Sequence, residues 1–262
     1  MGEWLQAPLG DPSCRQPDLV GQEIVLLASL ADLAPTLRTL VVSAPMVTWL
    51  DRLSTRPAAQ FADLSSAIRG MVSIRGWVLR AGAPDQLAGP LLNNIDPTDL
   101  TDTVVEFVWD AERICSWRTG DRLVLALQRF IPADASARVL VDPAARLIWV
   151  RVCWGLAEVL AEPLYFDRFL FSGDELEIGE HLVVHKPTAT MGAEAGAGTS
   201  TVSVATERQR VSVLSVATAR RLAVTGLAAA DRLGCVELEF ALFDGQPFLL
   251  GCYPVGPMAQ LG

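Results

Sequence analysis

Residues 235–254 constrain the fold more than any other stretch of the sequence. Two apolar runs flank Asp244-Gly245, and an Asp-Gly pair between such runs is a strong signal for a two-residue hairpin turn. Glu237 and Glu239 are two residues apart, so on a strand both carboxylates point to the same side. The spacing leaves two interpretations open: an acidic strand that holds a metal or a substrate amine, or a solvated edge hairpin.

The rest of the chain mixes helical and strand patterns. Apolar residues at helical spacing predict helices near residues 22–33, 46–53, 59–68, 99–117 and 215–233. Strand-like runs are denser in the second half, where several neighbouring runs favour antiparallel pairing. Residues 188–201 are rich in Thr, Gly, Ala and Ser and are predicted to form a loop. This mixture predicts an α+β chain with two lobes.

Composition excludes several classes of function. The net charge of −9 is unsuited to nucleic-acid binding, which requires a basic face. No apolar run approaches the length of a membrane span, and the N-terminus lacks a signal-peptide pattern, so we expect no membrane partner and a cytoplasmic protein. The five scattered cysteines are expected to be reduced. The two histidines, His181 and His185, lack a third ligand at a convincing spacing, so no metal site is predicted.

Several short segments occur in the order found in a known nucleotide-binding domain. These landmarks are Leu127–Asp134, Val141–Pro143, Trp154–Glu158, Phe166–Arg168 and Glu237–Phe240. They resemble the ATP-binding domain shared by phosphoenolpyruvate synthase, pyruvate phosphate dikinase and rifampin phosphotransferase. The resemblance implies a two-lobed ATP-grasp fold with a central interlobe cleft. We place the divergent N-terminal lobe at residues 1–105 and the C-terminal lobe at residues 106–262.

The sequence departs from this family at the groups that handle phosphate. Glu23 stands where the family has a lysine, and at an effective dielectric constant of about 20 two like charges ~4 Å apart repel by about 4 kcal/mol. Gly76 and Trp77 replace the family's hydroxyl residues, and Gly251 and Tyr253 replace its final glutamine and arginine. The resemblance therefore implies a degenerate domain in which ATP and Mg²⁺ are disfavoured and no cofactor is expected.

Three functions remain open. The first is a repurposed enzyme that transforms an organic small molecule in the cleft, for example by cyclisation, isomerisation or elimination of a bacterial secondary metabolite. The second is a phosphoenolpyruvate synthase-like phosphotransferase subunit that acts with a partner chain. The third is a non-catalytic scaffold that binds a partner protein or a second copy of itself.

The candidate site residues follow from the landmarks and their departures. Buried carboxylates suit general acid or base catalysis because one pKa of a close pair is raised. The predicted catalytic residues are Glu239, Glu237 and Arg75. The predicted ligand contacts are Trp77, Gln128, Glu158 and Tyr253.

Overall fold

The structure is a computed structural model, and it describes residues 4–55, 64, 66–157, 165–196 and 198–255. The helices within these residues are α1 (Pro17–Val20), α2 (Gln22–Ser29), α3 (Met46–Thr55), α4 (Leu100–Ile114) and α5 (Val216–Leu233). The strands are β1 (Leu5–Pro8), β2 (Thr39–Pro45), β3 (Val72–Leu79), β4 (Gln86–Leu87), β5 (Leu92–Ile95), β6 (Arg122–Arg129), β7 (Ala135–Asp142), β8 (Leu147–Trp154), β9 (Asp167–Ser172), β10 (Glu177–Leu182), β11 (Thr188–Gly192), β12 (Thr199–Ser203), β13 (Val236–Phe243) and β14 (Gln246–Pro254). This mixture of helices and antiparallel sheets confirms the predicted α+β class.

The chain divides into two compact units that are not contiguous in sequence. Unit 1 comprises Met1–Ser29, Leu37–Ile131 and Gly192–Gly198, and unit 2 comprises Leu30–Thr36, Pro132–Met191 and Thr199–Gly262. The predicted boundary between residues 105 and 106 falls inside α4. The main division lies after Ile131 because β6 pairs with both β2 and β3 and so belongs to unit 1.

The sheet of unit 1 is antiparallel, with the strand order β1-β2-β6-β3-β4 and with β5 also paired to β3. Alternate residues of its central strands, such as Ile74 and Leu125, enter one core with Trp49 and Phe107 of the helices. Gly76 makes this packing possible, since a Cβ there would lie 2.6 Å from the Phe107 ring. The core of unit 1 therefore lies between one face of the sheet and helices α3 and α4.

The sheet of unit 2 is also antiparallel, with the order β10-β9-β8-β7-β13-β14, and α5 packs on one of its faces. The predicted ends of α5 are confirmed: the Ser215 hydroxyl accepts the Thr218 N–H at 3.1 Å, and Gly234 ends the helix with a φ of 82°. Gly226 brings the helix close to Val139 and Val141, to which a Cβ would approach within 2.7 and 2.9 Å. The opposite face of this sheet carries the charged side chains described below.

A buried ion pair joins two loops of unit 2 to strand β9. Lys186 and Asp167 have side chains that are 1% and 0% exposed, and Lys186 Nζ donates to Asp167 Oδ1 at 2.5 Å and to the Val184 carbonyl at 2.8 Å. The Val184 and Val213 N–H groups also donate to the Asp167 carboxylate, at 3.0 and 2.8 Å. Every polar atom of the pair therefore has a partner, as burial of charge requires.

The prediction for residues 188–201 differs from the structure. Residues 188–201 do not form a simple loop: β11 and β12 pair as a two-stranded sheet, because their threonines and valine favour extended backbone. Asn94 Nδ2 donates to the carbonyls of Ala193 and Gly198, at 2.6 and 3.0 Å, and so anchors the turn between the strands.

The helix predicted over residues 59–68 lies largely outside the described residues. None of the described helices is long and apolar enough to cross a membrane.

Candidate functional site

Three of the predicted site residues share one face of the unit 1 sheet. Arg75, Trp77 and Gln128 lie on β3 and β6, and strand register with side-chain alternation places them on the face opposite the Phe107 core. Trp77 and Gln128 are only 4% and 8% exposed. Gln128 Nε2 donates to the Thr39 hydroxyl at 3.2 Å, and Trp77 Nε1 is buried without a hydrogen-bond partner among the described residues.

The N-terminus of α2 is the segment that the resemblance assigns to nucleotide phosphates. Here the Gln22 N–H, at the first position of the helix, donates to Asp85 Oδ2 at 2.6 Å. Gly21 has a φ of 83°, and a Cβ at this position would lie 2.9 Å from the same carboxylate oxygen. Glu23 adds a second carboxylate in the first turn. An anionic side chain of this protein therefore occupies the positive end of the helix dipole.

The other predicted residues meet on the sheet of unit 2. The hairpin of β13 and β14 is confirmed, and Asp244 and Gly245 at its turn have the positive φ values of 50° and 69° that such a turn requires. Glu237 and Glu239 share the face opposite α5. Tyr253 is the register partner of Glu237, but its hydroxyl donates to Glu239 Oε2 at 2.9 Å.

Both carboxylates of β13 have partners within unit 2. Glu239 is 4% exposed and accepts a hydrogen bond from the Tyr253 hydroxyl. Glu237 is paired with Arg151 on β8 through a contact of 2.5 Å between Oε1 and Nη2. Arg151 was not predicted as a site residue, because its pairing with a glutamate 86 residues away depends on strand register.

Arginines form a row across this face. Arg138 on β7 is the register partner of both Glu239 on β13 and Arg151 on β8, and Arg151 is in turn the partner of Arg168 on β9. We call the side of the unit 2 sheet that carries this row and the two glutamates the charged face. A sequence signal was present: each of β7, β8 and β9 has a single arginine set among buried apolar residues.

A second row on the charged face is apolar. Leu140, Trp149 and Leu170 are register partners on the same three strands, two residues along from the arginines, and all three are half-buried. Residues two apart on a strand are separated by about 7 Å. The charged face therefore presents guanidinium groups beside a strip of apolar side chains.

The thiol and hydroxyl on the charged face are not activated nucleophiles. Burial raises the pKa of Cys153 to about 12, so this thiol stays protonated at neutral pH. The Ser136 hydroxyl donates to the Gly155 carbonyl at 2.8 Å. The chemistry available on this face is therefore charge recognition and proton transfer at Glu239 and Tyr253.

The histidines have ordinary structural contacts. His181 stacks on Phe169 with 4.2 Å between ring centroids, and its Nε2 lies 3.0 Å from the Ser212 hydroxyl. His185 Nε2 lies 2.8 Å from the Gln209 side-chain oxygen. Across the described residues, no group of three His, Cys, Asp or Glu side chains is placed to hold a metal ion. The remaining predicted contact, Glu158, lies outside the described residues.

The chain is similar to several solved structures. No protein-family model and no curated protein matches it. D-alanine–D-alanine ligase from Bacillus anthracis complexed with ATP is 10% identical over 90% of this chain and 60% of that chain, with a TM-score of 0.37. Another structure of the same ligase gives the same identity and coverage with a TM-score of 0.32. The macrocyclase MdnC from Microcystis aeruginosa MRC, bound with precursor peptide MdnA, is 13% identical over 90% of this chain and 53% of that chain, with a TM-score of 0.33.

These matched structures are ATP-grasp proteins. The chain spans between 53% and 60% of their lengths.

Proposed function

We propose that this protein uses an ATP-grasp-like scaffold to bind and transform an organic small molecule, without ATP-dependent phosphoryl transfer. The observation that carries the proposal is the pairing of both β13 carboxylates by side chains of unit 2. The sequence left open that this acidic strand holds a metal, but here Arg151 is paired with Glu237 and Tyr253 is hydrogen-bonded to Glu239. Mg²⁺ would have to displace these partners to be coordinated there.

The N-terminus of α2 supports the same conclusion independently. Asp85 accepts the first helical N–H, and Glu23 lies in the first turn where the family has a lysine. A nucleotide phosphate would compete with one carboxylate and be repelled by the other.

The Glu239–Tyr253 pair supplies the chemistry that the proposal needs. Tyr253 donates its proton towards a buried carboxylate, so Glu239 can accept a proton and Tyr253 can carry one to or from a ligand on the charged face. Isomerisations, eliminations and cyclisations that proceed by proton transfer can use such a pair. We propose tailoring of an organic metabolite by a reaction of this kind.

The loss of nucleotide binding is tested by thermal unfolding with and without ATP and Mg²⁺. A ligand that binds the native state stabilises it, by about 2.7 kcal/mol when the ligand concentration is 100 times its Kd, and so raises the melting temperature. We expect no rise with ATP–Mg²⁺, with ADP–Mg²⁺ or with Mg²⁺ alone. A saturable rise with ATP–Mg²⁺ would contradict the proposal and support a phosphotransferase subunit.

The catalytic role is tested by Glu239→Gln. The glutamine oxygen can still accept the Tyr253 hydroxyl, so the fold is expected to persist while the proton acceptor is lost. With the organic substrate in hand, we expect turnover to fall by about 100-fold or more. Glu177→Gln, at an exposed position on β10, is the matched control and should retain activity. Full activity in Glu239→Gln would place catalysis elsewhere.

A further inference from the structure

The arginine row is unusual because it brings like charges into direct register. Arg138, Arg151 and Arg168 are consecutive register partners on three neighbouring strands. Like charges directly opposite each other destabilise a sheet. Such an arrangement persists where other charges compensate it, so the partners of each arginine are informative.

Two of the three arginines are compensated by glutamates. Arg151 pairs with Glu237 at 2.5 Å, and Arg168 pairs with Glu180 at 2.6 Å. Arg138 has no ion pair among the described residues, and its Nε is buried without a hydrogen-bond partner. A dry, unpaired guanidinium N–H costs free energy unless an acceptor binds it.

We infer that Arg138 and Arg151 bind the carboxylate of an organic monocarboxylic acid whose apolar part lies over Leu140, Trp149 and Leu170. A guanidinium matches a carboxylate in planar, bidentate geometry. The apolar row begins about 7 Å along the strands from the arginines, which is the length of a short linker between a carboxylate and an aromatic or aliphatic group. This inference rests on the proposed function, since it assigns a ligand class to the same face.

The charges of the side chains on this face favour a ligand with one negative charge over a phosphate. Glu237 and Glu239 lie beside the two arginines, so the formal charges of these four groups sum to zero when all are ionised. A monocarboxylate adds one negative charge next to Arg138. A phosphate dianion or a nucleotide triphosphate would add more negative charge beside two carboxylates.

The test uses 3-phenylpropanoate as probe and its neutral amide, 3-phenylpropanamide, as the matched control ligand. Binding to the full chain is measured by calorimetry and by thermal shift at constant ionic strength. We expect saturable binding of the acid, binding of the amide at least about tenfold weaker, and no stabilisation by inorganic phosphate. Equal binding of acid and amide, or stronger stabilisation by phosphate, would overturn the inference.

Substitution of single arginines tests which of them binds the carboxylate. Arg138→Gln should weaken binding of the acid by about tenfold or more, while its melting temperature without ligand stays equal to or above that of the wild type, since the unpaired N–H and a like charge are removed. Arg168→Gln is the control, because Arg168 lies in the same row but has its own partner, Glu180, and it should bind the acid as the wild type does. Unchanged affinity in Arg138→Gln would overturn the inference. Nucleotide binding is measured separately, so failure here and failure of the proposed function are distinguishable.

Discussion

Asp167 and Arg138 show two different environments for a charged side chain in unit 2. Asp167 is completely enclosed, and Lys186 and two backbone N–H groups satisfy its carboxylate. Arg138 carries a buried Nε for which the described residues provide no acceptor. The first arrangement is complete within the chain and is expected to stabilise the fold, whereas the second is suited to a ligand.

Removing one partner of the buried pair is expected to be costly. Lys186→Met keeps most of the side-chain volume but leaves Asp167 buried without its counter-charge, so we expect a loss of about 3–5 kcal/mol in the free energy of unfolding, measured with urea. Arg146→Met is the control, because the Arg146–Asp174 pair is 67% and 78% exposed, and it should have little or no effect. A small effect of Lys186→Met would mean that Asp167 gains water or a proton in the variant.

The two predicted glutamates show what sequence can establish about a site. Their shared face follows from their spacing, and the Asp244-Gly245 turn follows from local backbone preference. The partners of these glutamates do not follow from the sequence, because Arg151 meets Glu237 only through the register of three strands. The same limit applies to Trp77, whose 4% exposure depends on what packs over its face of the unit 1 sheet and is not encoded in the local sequence.

At the scale of elements, the fit of α5 against its sheet is controlled by one glycine. Gly226 faces Val139 and Val141, and these branched side chains lie on the central strand β7 and cannot move away easily. Ser215 and Gly234 delimit the helix by local signals, so its ends were predictable. The close approach of α5 to the sheet at Gly226 was not predictable, since a glycine in an isolated helix only lowers the stability of that helix.

Gly226→Ala tests this packing. Alanine favours helix by about 1 kcal/mol, but overpacking against the two valines costs about 1–3 kcal/mol, so we expect a net loss of stability in urea unfolding. Val224→Ala, at a position of α5 that is 54% exposed, is the control and should change stability by less than about 0.5 kcal/mol. A more stable Gly226→Ala variant would show that α5 can shift outward without loss of contacts.

At the scale of the whole molecule, the chain passes between its two compact units several times. Leu30–Thr36 belongs to unit 2 because the Leu249 N–H donates to the Pro35 carbonyl at 2.8 Å and Arg232 forms a forked pair with Asp32 at 2.8 and 2.9 Å. A boundary at a single residue therefore cannot describe the division. Sequence patterns predicted two lobes and a boundary at a position inside α4, whereas assignment of a segment to a unit depends on pairings such as Arg232 with Asp32, which are 200 residues apart.

The enclosed Lys186 has a consequence for the chemical reactivity of the protein. It is the only lysine in the sequence of 262 residues, and all other basic side chains that are always charged are arginines. Because its ammonium group is held by Asp167 and Val184, the folded chain exposes no side-chain amine for acylation, reductive alkylation or isopeptide attachment. Acylation of Lys186 would therefore mark those molecules in which the loops around β9 have opened.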